Sequence, residues 1–69
     1  MKKITVVTSR GNLDEAIYVN GSFVYYAQTV FGVDIARYVG NEPVAFNALY
    51  ADYVDHWPDT LDELESWRD

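Results

Sequence analysis

A chain of 69 residues with formal charge −6, no cysteine and one histidine has room for a single domain, residues 1–69, and must hold it together without disulfides. With 49% hydrophobic and 16% aromatic residues, the composition argues against disorder despite the charge. The negative balance argues against direct binding to DNA, RNA or an anionic membrane, because affinity there rests on neutralising phosphates with Lys and Arg.

The run KITVVTS is almost entirely β-branched and predicts a first strand over residues 3–9. The two lysines Lys2 and Lys3, a short apolar run and then Arg10 and Gly11 do not have the pattern of a signal peptide. Gly11 and Asn12 in RGNLDE tolerate positive φ and mark a connection. In EAIYVNGSFVYYAQ, two strand-like runs flank Asn20–Gly21, the strongest short signal for a hairpin, since a type I′ turn requires positive φ at both central residues. Beyond it, Phe31, Ile35 and Tyr38 recur at helical spacing. Thr29 is a candidate cap and Gly40–Asn41 a helix stop, while Gly32 weakens the helix by about 1 kcal/mol relative to Ala.

The stretch NEPVAFNALYADYVDHW reads as a second helix. Pro43 suits its first turn, Phe46, Leu49, Tyr50, Tyr53, Val54 and Trp57 follow the i, i+3, i+4, i+7, i+8, i+11 series, and Pro58 ends it near His56. Thr60 and Glu63 have capping-box spacing for a last helix with Leu61, Leu64 and Trp67 as its apolar stripe. The expected architecture is α+β: a small antiparallel sheet of two to three strands, including the Asn-Gly hairpin, followed by two to three short helices packed on it. No stretch approaches the roughly 18 uninterrupted apolar residues of a transmembrane helix. A cytoplasmic protein is the simplest expectation.

Catalytic equipment is sparse. His56 is the only imidazole, and in a helix Asp52 would lie one turn before it, placed to orient a base or contribute to a metal site. Zinc usually wants three or four nitrogen or sulfur ligands, however, and a solvated helix end, where His56 complements the helix dipole, is the favoured account. Ser9, Ser22 and Ser66 lie in no nucleophile motif, and no G-x-S-x-G, Walker-type or G-x-G-x-x-G sequence occurs. No enzyme activity, cofactor or metal is expected.

The charge is lopsided: residues 1–39 carry +1 and residues 40–69 carry −7. Asp52, Asp55, Asp59, Asp62, Glu63 and Glu65 form the candidate partner-binding face, and on helices they would make rows of charge at spacings near those of phosphates along a nucleic-acid strand. Solubility alone also accounts for such a face. Tyr25, Tyr26, Trp57 and Trp67 are the candidate aromatic contacts, because six tyrosines and two tryptophans exceed what so small a core hides, and such rings anchor interfaces. Tyr25 and Tyr26 must point to opposite faces of a strand.

In size, charge and the acidity of DYVDHWPDTLDELESWRD, the chain resembles the small acidic inhibitors encoded by phages and mobile elements, especially anti-CRISPR proteins and other DNA-mimicking anti-defence proteins. The resemblance implies a monomeric or homodimeric blocker, acting in the host bacterial cytoplasm. Its target would be a basic, nucleic-acid-binding protein such as a CRISPR effector subunit, occupied on its nucleic-acid path or an assembly surface. Two other classes fit the same residues: an antitoxin or immunity-type partner of a basic nuclease, and a structural homodimeric module that buries its tyrosines against a second copy.

Overall fold

The computed structural model describes residues 1–68, with side chains through Leu64. The elements in chain order are β1 (Lys2–Ser9), β2 (Glu15–Val19), β3 (Ser22–Ala27), α1 (Gly32–Val39), β4 (Val44–Ala51) and α2 (Leu61–Arg68). The strands form one sheet in the order β3-β2-β1-β4. β1 pairs antiparallel with β2, which pairs antiparallel with β3, whereas β1 and β4 are parallel, from Lys2 opposite Val44 to Ser9 opposite Ala51. The architecture is α+β, with a mixed sheet and two helices.

The chief correction to the sequence reading is β4. Residues expected to form a helix from Pro43 to His56 instead give an eight-residue strand followed by an irregular segment, so the sheet has four strands and is mixed, where two or three antiparallel strands were expected. VAFNALYA satisfies both periodicities: Phe46, Leu49 and Tyr50 fit 3.6, but Ala45, Asn47, Leu49 and Ala51 also alternate with Phe46, Ala48 and Tyr50. Short apolar runs are ambiguous in this way. The tie is broken by β1, whose central position requires hydrogen-bonding partners on both edges; an interior strand left unpaired would bury unsatisfied peptide groups.

β2 runs into β3 through Asn20 and Gly21, with φ of 52° and 85°. In the preceding connection it is Leu13 that takes positive φ, 63°. Gly11 serves a close approach instead, since a Cβ there would lie 2.5 Å from the Tyr53 ring.

The crossover from β3 to β4 carries α1 over one face of the sheet. Side chains of that face hold both its ends. Glu15 accepts from the Val30 N–H at 2.8 Å and from the Thr8 hydroxyl at 2.9 Å. Lys2 donates through Nζ to the Tyr38 carbonyl at 2.7 Å, placing a cation where the helix exposes its last carbonyls. Phe31 is the N-cap in place of the expected Thr29; having no side-chain acceptor, it contributes its N–H, which donates to Asp34 Oδ2 at 3.0 Å. Gly40 ends the helix at φ 67°.

The other face holds the main core. Val7, Ala16, Tyr18 and Ala51 from the strands meet Val54, Leu61 and Leu64, with Phe23, Leu49 and Trp57 packed against them. Thr60 caps α2: its hydroxyl reaches Glu63 Oε1 at 3.2 Å and lies 3.5 Å from the Glu63 N–H. Burying Leu61 and Leu64 seats this helix on the sheet.

Candidate functional site

The acidic residues belong to a strap, residues 52–63, that leaves β4, runs over the main-core face of the sheet from its Ser9–Asn12 end to its Gly21–Phe23 end and enters α2. Its backbone is fastened along its length. Gly11 N–H donates to the Asp52 carbonyl at 2.7 Å, and Val54 N–H donates to Ser9 Oγ at 2.9 Å. Asn12 Nδ2 donates to the Val54 carbonyl at 3.1 Å. Further on, the buried Tyr18 hydroxyl donates to the Pro58 carbonyl at 2.7 Å, Phe23 N–H to the Asp59 carbonyl and Leu61 N–H to the Gly21 carbonyl, each at 2.8 Å. With Val54 and Pro58 buried as apolar anchors, the carboxylates are left outside.

Asp52, Asp55, Asp59, Asp62 and Glu63 are all exposed. They do not form the helical rows expected from spacing, because Asp52, Asp55 and Asp59 lie on irregular backbone and only Asp62 and Glu63 lie in a helix. Asp52 and His56 therefore do not share a helix face. His56 Nε2 instead approaches Asp55 Oδ2 at 3.5 Å, with the His56 side chain 93% exposed, so nothing shields the pair from solvent. Among the described residues, Asp52, Asp59 and Asp62 make no ion pair. Glu65 and Trp67 fall where side chains are outside the described residues.

The strap's field reaches the core. Burial, reinforced by the charges of Asp59 and Glu63, pushes the Tyr18 phenol up to about 12. All three causes disfavour the phenolate, so the hydroxyl remains a donor to Pro58 across the neutral range.

The aromatic candidates separate. Trp57 is half-buried against the main core, so it helps to seat the strap instead of projecting from it. Tyr25 opposes Ile17 and is half-buried; Tyr26 opposes Ala16 and is exposed at the sheet's edge. The larger exposed rings lie elsewhere, at Phe31, Phe46, Tyr50 and Tyr53. Sequence reasoning assigned Phe46, Tyr50 and Tyr53 to a buried helical stripe. The signal that would have placed Phe46 and Tyr50 outside was the alternation of residues 45–51.

Comparison with known proteins yields no matching family model, no matching curated protein and no matching solved structure. Among the described residues no helix is long and apolar enough to cross a membrane.

Proposed function

We propose that this chain is a small protein-binding inhibitor that docks its acidic strap on a basic, nucleic-acid-binding protein and blocks that protein's nucleic-acid path or an assembly surface, in the manner of anti-CRISPR and other DNA-mimicking anti-defence proteins. The observation that carries the reading is the strap itself: five exposed carboxylates on a backbone fastened at residues 52, 54, 58, 59 and 61. Holding the acids on pinned backbone reduces the ordering cost of binding. Concentrated like charge steers encounter with a basic surface and weakens as salt rises. Tyr53, exposed within the strap, supplies apolar area for short-range contact.

The test is a tagged pull-down from bacterial lysate, including lysate that expresses CRISPR effectors, eluted with salt or competing DNA. Recovery of a stoichiometric nucleic-acid-binding protein is expected; a basic nuclease toxin in its place would assign the chain to the immunity-type partners. With the captured protein in hand, reversing Asp52, Asp55, Asp59 and Asp62 to lysine should slow association by about 10- to 1000-fold at low salt, with the difference shrinking as salt is added. An association rate unchanged by the four substitutions would remove electrostatic mimicry from the mechanism.

A further inference from the structure

The two edges of the sheet are treated differently. β3's outer edge is met by the strap, through the Phe23–Asp59 hydrogen bond and a bridge between Ser22 and Thr60. Among the described residues β4's outer edge has no neighbouring strand. Lys2 N–H donates to the Pro43 carbonyl and Arg10 N–H to the Ala51 carbonyl, at opposite ends of the parallel ladder. Alternate residues turn both peptide groups to the same side, so Ala45, Asn47, Leu49 and Ala51 bond to β1, while Val44, Phe46, Ala48 and Tyr50 direct N–H and C=O outward. Their side chains also lie on one face, where Phe46 is 62% and Tyr50 56% exposed.

Open edges are ordinarily blunted by lysine, proline or a bulge. In a chain with 16 charged residues, Val44–Ala51 carries none.

We propose that β4 pairs antiparallel with β4 of a second copy, about a two-fold axis at Asn47, joining two sheets into one of eight strands. This register uses every outward peptide group and sets large residues against small ones. Phe46 faces Ala48 of the second copy and Tyr50 faces Val44 on one side of the sheet; Ala45 faces Leu49 on the other. On the axis the two Asn47 residues are opposed. The Asn47 side chain is half-buried and its amide makes no hydrogen bond within the described residues, so each amide can bond the other.

Charge favours a second copy over a foreign strand. The Arg10 guanidinium lies 5.2 Å from the centre of the Tyr50 ring. With Tyr50 opposite Val44, the exposed Glu42 of the second copy comes opposite the exposed Asp52, at the end where Arg10 supplies a cation to both, and symmetry repeats the cluster. Elsewhere two chains of −6 repel; along this strip no charge opposes another, and at each end Arg10 stands between Glu42 of one copy and Asp52 of the other. The dimer is independent of the acidic-strap reading, since it is made by the β4 backbones and only Asp52 of the strap's carboxylates lies at its margin.

Sedimentation equilibrium of the full chain over a wide concentration range, combined with amide hydrogen exchange, tests the proposal. The parent should sediment as a monomer–dimer equilibrium, and exchange at Phe46, Ala48 and Tyr50 should slow as concentration rises, while Ala45, Asn47 and Leu49 stay protected throughout. Phe46→Lys should weaken dimerisation at least about tenfold with unchanged circular dichroism, because the ring it replaces is solvent-facing in the monomer. Ala48→Pro, which deletes an outward N–H and none of the ladder to β1, should do the same. A parent that stays monomeric at its highest soluble concentration, a dimer indifferent to both substitutions, or edge amides whose exchange ignores concentration would each overturn the proposal.

Discussion

Tyr18→Ala is expected to destabilise the fold by about 3–5 kcal/mol and to leave much of the chain unfolded without denaturant, because domains below about 70–80 residues rarely have more than about 3–5 kcal/mol to lose. Among the described residues Tyr18 is the largest fully buried side chain, and its ring packs edge-on against Phe23 at 5.7 Å between centroids. Its hydroxyl is also the buried clasp on the strap, at the Pro58 carbonyl. Truncation thus opens a cavity and releases the strap together. Tyr18→Phe separates the two effects: packing is kept, and the loss should fall to about 1–2 kcal/mol for an acceptor left without its donor. Urea denaturation followed by circular dichroism measures both; equal losses for the two variants would mean that the ring contributes little.

The same residue sets the alkaline limit. In the unfolded chain the phenol ionises near 10, whereas in the native state it holds its proton to about 12. Between those values the native state binds more protons than the unfolded one, so stability is fully present below pH 10 and declines as pH rises through 12. Two pH units correspond to roughly 2–3 kcal/mol. Urea midpoints measured from pH 8 to 12 should fall in that window for the parent and less steeply for Tyr18→Phe. A parent and variant with parallel profiles would place the alkaline loss in other groups.

Leu64→Ala is the second large effect, expected at about 2–5 kcal/mol. α2 has eight residues, too few to be stable as an isolated helix, and is held by what it buries. Leu64 is fully buried and Leu61 nearly so, both against the core that includes Val54 and Tyr18. Losing Leu64 should detach the helix, so that its amides exchange freely at denaturant concentrations where β1 remains protected. Asp62→Ala, on the exposed side of the same helix, should leave the urea midpoint close to that of the parent. Comparable losses in the two variants would show that α2 is held by its capping and charges instead of by its leucines.

Where local chemistry and tertiary demand agreed, the sequence was legible. The β-branched run expected over residues 3–9 is β1, the Phe31–Tyr38 periodicity with its Gly40 stop is α1, and the Thr60–Glu63 spacing opens α2. The candidate site was legible in its residues but not in its shape. Asp52, Asp55 and Asp59 are exposed as expected, yet they ride on irregular backbone because the helix meant to order Asp52, Asp55 and His56 does not form. Trp57, taken for an anchor, is half-buried because Pro58 and Val54 draw the strap onto the core.

By itself the sequence determined an acidic composition without cysteine chemistry, with its negative charge gathered in the carboxyl-terminal half, because composition and charge distribution do not depend on how the chain folds. Only the tertiary structure decided that residues 44–51 form a strand. Their spacing satisfies helix and strand alike, and the unpaired side of β1, a demand made by residues more than forty positions away, resolves the choice. That one decision turned Phe46 and Tyr50 outward, left an uncharged edge open and made the acidic segment a strap.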